Sequence, residues 1–124
     1  MNKYLIIMSC GIFNICFGIL HLFFWKMFDW KNDLSKISYY NRATLQILNL
    51  RMIYVFLSVG VILILFSESI LNTMLGNAIL AGIFLFWFGR LIEQFIFLKE
   101  KSKKSIALAF VLIFGVLLHL AAII

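Results

Sequence analysis

Of the 124 residues none is proline, five are acidic and two are cysteine. Without proline, no helix carries a proline kink. Charged residues make up 13% of the chain against 65% hydrophobic, too little polar cover for an ordinary water-soluble domain. The same imbalance excludes disorder, which needs low hydrophobicity and high charge. The formal charge of +6 does not make a nucleic-acid module, because the basic residues sit between long apolar runs and not on one folded face. Cys10 and Cys16 are six apart on one helix, so they point to different faces, cannot bridge each other and read as small hydrophobes. No Cys, His and carboxylate cluster has metal-site spacing. There is no phosphate-cradling Gly-rich loop and no nucleophile elbow. No metal or cofactor is expected.

What is present is apolar length. The mean hydropathy is +1.08, and a helix crossing the hydrocarbon layer needs roughly 20 mostly apolar residues. Four stretches qualify, at 4–25, 45–66, 75–98 and 106–124. The expectation is an all-α integral membrane four-helix bundle forming one domain over 1–124. The first stretch is too long in its apolar part for a cleaved signal, and no small-residue cleavage site follows it. It reads as a helix that stays.

With four spans, the first and third loops share one side, and the second loop and both termini share the other. Lys26, Lys31, Lys36 and Arg42 lie in the first loop, and Lys99, Lys101, Lys103 and Lys104 in the third. Arg51 and Arg90 lie in the helix halves nearest those loops. Only Lys3 falls on the opposite side, where Ser67-Glu68-Ser69 carries no basic residue. The positive-inside rule makes the lysine-rich side cytoplasmic and puts both termini outside.

Within the first loop, Trp30, Leu34, Ile37 and Asn41 recur at heptad-like spacing, while Lys31, Asn32, Asp33, Ser35 and Lys36 take the other face. The pattern predicts a short amphipathic interfacial helix between spans 1 and 2, with Asp29 as its cap. It ties two spans together or, as the sharper alternative, covers a cytoplasm-facing site.

Polar groups inside a bilayer need a partner or a purpose. At about 1.5 Å per residue, His21 and Asn49 lie about 6 Å below the cytoplasmic surface, Glu93 about 8 Å, Arg51 about 10 Å and Arg90 about 12 Å. Gln46 and Gln94 belong to the same layer. Gly11, Asn14, Gly18, His21 and Trp25 form a stripe of small and polar residues on the first helix, expected to face the bundle interior. On the third helix Gly82, Phe86, Gly89 and Glu93 share a face, and Arg90 beside it reaches Glu93 or Gln94 one turn on. The joint pattern is a cytoplasm-facing polar pocket lined by His21, Gln46, Asn49, Arg51, Arg90, Glu93 and Gln94. Its net positive charge suits a small anion or the polar head of an amphiphile. Each member also has a structural reading. Arg51 snorkels to the headgroups, Arg90 and Glu93 form an ion pair, His21 hydrogen-bonds between helices, and Asn14, Asn49, Gln46 and Gln94 are packing glue.

Haem held by two histidines needs His21 and His119 at one depth, whereas the spans separate them by about 15 Å along the membrane normal. A transport path needs polar groups through the full thickness. The outer halves of spans two and three, 59–66 and 78–88, are apolar, so only a homo-oligomer would build such a path, between copies. The run Lys99-Glu100-Lys101-Ser102-Lys103-Lys104 is chiefly a topology signal that also attracts anionic lipid.

Two resemblances bear on function. Gly18-Ile19-Leu20-His21, followed by Phe24, Phe28, Trp30, Leu34, Asn41, Gln46 and Asn49, resembles small bacterial four-span membrane proteins without assigned activity. That implies a bacterial inner membrane. Gly89-Arg90, with Asn49 near the start of the second span, is similar to positions in the membrane-associated enzymes of eicosanoid and glutathione metabolism. Those are four-span trimers with a glutathione site at the cytoplasmic end. That family's pattern has an Arg one turn before the Asn and a Glu three residues after it, where Leu45 and Met52 stand here. The preferred expectation is therefore a small binding or accessory protein whose pocket receives an anionic or amphiphilic molecule. The alternatives are a membrane-embedded enzyme acting on a lipophilic substrate, in the manner of a glutathione transferase, and a structural subunit that only packs against partners.

Overall fold

A computed structural model describes residues 2–124, which contain helices and no strand. Seven α-helices follow one another: α1 (Lys3–Leu22), α2 (Phe24–Met27), α3 (Trp30–Asp33), α4 (Tyr39–Leu65), α5 (Ser67–Asn72), α6 (Met74–Phe97) and α7 (Lys103–Ile123). Four of them, α1, α4, α6 and α7, are long and apolar enough to cross a membrane. Helix is the natural state of such segments, because it pairs every interior backbone N–H and C=O within the segment.

Helix ends follow local chemistry. The Thr73 hydroxyl donates to the Ser69 carbonyl (2.8 Å) and accepts from the Gly76 N–H (3.0 Å), so one side chain closes α5 and opens α6. Ser102 caps α7 by accepting from the Ser105 N–H at 3.1 Å. Helix α4 begins at Tyr39, six residues before the apolar run that marks the second span, and the Ser38 hydroxyl accepts from Asn41 N–H at 3.4 Å. The backbone ladder continues through the polar turn because a helix needs only its i−4 carbonyls, not apolar side chains.

Where one amphipathic helix is expected between the first two spans, the structure has α2, α3 and a 3-10 turn at Leu34–Lys36. The division falls at Asp29, in the left-handed region at φ 49°. Its carboxylate accepts from the Asn32 side-chain amide at 2.9 and 3.1 Å, a local bond of the kind that lets Asp occupy this conformation. Leu34 is the residue of this segment that is fully buried.

The chain divides into two compact units, Gly11–Ile62 and residues up to Cys10 with Leu63–Ile124. In the first, α1 and α4 approach closely. A Cβ on Gly60 would collide with the Ile15 side chain and stand 2.6 Å from the Gly11 carbonyl oxygen. A Cβ on Gly18 would stand 3.1 Å from that of Phe56. Above this seam Phe17 and Phe56 meet edge-on at 5.4 Å between centroids. In the second unit α6 presents Gly76, Leu80, Trp87 and Gln94 as its buried face, and α7 presents Leu112, Gly115, Val116, His119 and Ala122. Trp87 and His119 lie 5.9 Å apart by ring centroids. The Cys10 thiol donates to the Leu118 carbonyl at 3.7 Å.

Candidate functional site

In the first unit α1 ends at Leu22, one residue past His21, and the chain turns through α2 and α3 before α4 returns. The turn leaves a cavity of about 270 Å³ lined by His21, Leu22, Trp25, Trp30, Gln46, Asn49, Leu50 and Ile53. The helical period explains the membership from α4: Gln46, Asn49, Leu50 and Ile53 lie at steps of three and four and share one face. Across the cavity stand the last turn of α1 and the two tryptophans of the connection.

The polar atoms here are held in place. The His21 ring donates through Nδ1 to the Phe17 carbonyl at 2.9 Å. A carbonyl can only accept, so Nδ1 carries a proton and the lone pair of the neutral ring lies on Nε2. The ring is held between aromatics, 4.2 Å from the Phe24 centroid and 5.1 Å from that of Phe56. The Asn49 side-chain amide donates to the His21 backbone carbonyl at 3.2 Å, which ties α4 to α1. This carbonyl lies in the last turn of α1, among the groups a helix end leaves without an intrahelical partner. Asn49 thus satisfies a helix terminus and lines the cavity together.

Arg51 is on a different face of α4, exposed, with its guanidinium 5.8 Å from the ring centroid of Tyr54. It does not line the cavity. That geometry fits an exposed cation–π contact.

Arg90, Glu93 and Gln94 belong to the second unit. Arg90 is half-buried, with Glu93 one turn on along α6. Glu93 itself is exposed, as are Gly82 and Phe86, and a Cβ on Gly82 or Gly89 would meet nothing within 4 Å. The face of α6 that carries Gly82, Phe86 and Glu93 is thus the exposed one. The packed face, through Leu80, Trp87 and Gln94, lies on the other side because the large Trp87 ring fills the space beside α7. Gln94 is fully buried, and its amide donates to the Ser105 carbonyl at 3.2 Å and hydroxyl at 3.3 Å. No spacing pattern in the sequence points to that pairing, since Ser105 lies across a loop.

Among the described residues no group of three or more His, Cys, Asp or Glu is arranged to hold a metal ion. Cys10 is buried and Cys16 exposed, and neither is in a disulfide. No protein-family model, no curated protein and no solved structure matches the chain.

Proposed function

We propose that the chain is a multi-pass protein of a bacterial cytoplasmic membrane, with both termini outside and the first and third connections in the cytoplasm. We assign it the binding of an amphiphilic molecule at the cytoplasmic end of the α1–α4 hairpin. The supporting observation is the cavity itself, where His21, Gln46 and Asn49 stand among Leu22, Trp25, Trp30, Leu50 and Ile53. A few convergent polar groups in an apolar wall are the usual makeup of a small-molecule site. The polar head exchanges hydrogen bonds with Asn49 and Gln46 beside the His21 ring, and the tail lies against Leu50, Ile53 and the tryptophans. Trp25 and Trp30 suit a membrane–water boundary, where indole rings gather, and α2 and α3 form the interfacial segment that closes the cavity.

The test is identification of the lipids and metabolites that co-purify with the protein in mild detergent. A Gln46→Leu/Asn49→Leu variant is expected to lose the bound species, and Arg51→Gln to keep it. Equal retention by the double variant removes the proposal. A second reading draws on His21 as a cavity-lining imidazole, the side chain that most often transfers protons, as an enzyme acting on a lipophilic substrate requires. A thiol-adduct assay with glutathione and an electrophilic lipid separates the two, since binding alone gives no turnover.

A further inference from the structure

The second hairpin holds a larger cavity that the reading above leaves unused. It measures about 440 Å³ and lies between the C-terminal end of α6 and the N-terminal half of α7. Its walls are apolar, from Phe95, Leu98, Ile106, Phe110 and Ile113, and its rim carries Lys99, Glu100 and Lys101. Lys103 and Lys104 follow at the start of α7, so the connection and first turn carry four cations against one anion. Phe95 and Phe110 are 60% and 69% exposed, which leaves this side of the hairpin open to acyl chains.

Gln94 and Ser105 break the apolar wall. Gln94 is 1% exposed, and its Oε1 is buried with no hydrogen-bond partner. Reversing the amide does not remedy this. Oε1 would then accept from the Ser105 hydroxyl, but the displaced NH₂ would take the unpartnered place and the Ser105 carbonyl would face another oxygen. A buried acceptor of this kind is costly unless a donor reaches it. The terminal torsion of glutamine is broad, so a small rotation opens the oxygen to the cavity.

We propose that this cavity holds one anionic phospholipid whose headgroup bears a hydroxyl group. The phosphate lies against Lys99 and Lys101, a headgroup hydroxyl donates to Gln94 Oε1, and the upper acyl chains lie along Phe95, Ile106 and Phe110. Charge selects the phosphate, the apolar walls select a lipid over free phosphate, and the orphan acceptor selects a headgroup with a donor. The site shares the membrane orientation of the proposed function but uses none of the α1–α4 residues, so Asn49→Leu leaves it intact.

The experiment is competitive retention in detergent, read by native mass spectrometry, of phosphatidylglycerol, phosphatidylmethanol and phosphatidylcholine offered in equal amounts. Phosphatidylmethanol has the same charge without the hydroxyls. The full chain is expected to retain phosphatidylglycerol over phosphatidylmethanol by about tenfold and both over phosphatidylcholine. Gln94→Met removes the first preference and keeps the second, whereas Lys99→Gln/Lys101→Gln weakens both anionic lipids together. Equal retention of the two anionic lipids by the unaltered protein overturns the proposal. So does an undiminished preference in Gln94→Met, or a second copy of the chain in the groove, seen as a dimer that excludes lipid. The comparison on the unaltered protein needs no variant to fold.

Discussion

Replacing Gly60 by alanine adds one methyl group at the closest approach of α1 and α4, and its cost follows from the geometry. The new Cβ would stand 2.6 Å from the Gly11 carbonyl oxygen, whereas a C···O contact settles at about 3.3 Å or more. The obstacle is partly backbone, so rotating a side chain does not relieve it, and the helices must part by about 0.7 Å. A gap of about 0.5–1 Å forfeits a quarter to a half of each dispersion contact, worth about 0.1–0.2 kcal/mol. A seam with as many atom pairs as one buried leucine makes, about 50, then loses about 2–4 kcal/mol at about 0.15 kcal/mol per pair. Against this, alanine gains about 1 kcal/mol in helix propensity over glycine. The net expectation is destabilisation by about 1–3 kcal/mol, in line with overpacked cores. Gly82→Ala is the matched control, because nothing lies within 4 Å of its Cβ position. It keeps the propensity gain and is expected to be unchanged or more stable by up to about 1 kcal/mol. Both are measured by reversible SDS titration in mixed micelles. If Gly60→Ala is as stable as Gly82→Ala, the close α1–α4 seam is refuted.

Other outcomes follow from single contacts. Asn49→Leu removes the bond to the His21 carbonyl; in a membrane such bonds average about 0.6 kcal/mol, so SDS titration should show a loss under about 2 kcal/mol. Asp29→Gly should fold as well as the parent, since glycine adopts a positive φ freely, whereas Asp29→Val should lower thermal stability by about 1–2 kcal/mol. An apolar maleimide added to the folded protein in detergent should label Cys16 and spare Cys10 until unfolding, as their exposed and buried positions require; peptide mapping distinguishes them.

Much of the architecture was legible because apolar length is a coarse and robust signal. All four long helices were expected, and the packing side of α1 was readable from Gly11, Asn14 and Gly18, all buried. Trp25 left that stripe because α1 ends at Leu22, and helical spacing means nothing beyond a helix end. The start of α4 was hidden because the mostly polar residues at 39–44 extend a helix without extending an apolar run. Six-residue α5 offers too few turns for a periodic pattern. Which face of α6 packs is not encoded in the spacing, because small residues occur on more than one side of it and only packing decides between Gly82 and Trp87. His21 and Asn49 were placed at one depth by counting residues, and the amide-to-carbonyl bond joins them. The pairing of Gln94 with Ser105 depends on how the α6–α7 hairpin closes, which spacing does not encode.

The central claim is that the α1–α4 hairpin holds an amphiphile between His21, Gln46, Asn49 and the two tryptophans. Native mass spectrometry of the protein released gently from its own membrane tests it most directly. The account predicts a bound species of defined mass on the parent and on Arg51→Gln, absent from Gln46→Leu/Asn49→Leu. The same species at the same occupancy on all three proteins would contradict it.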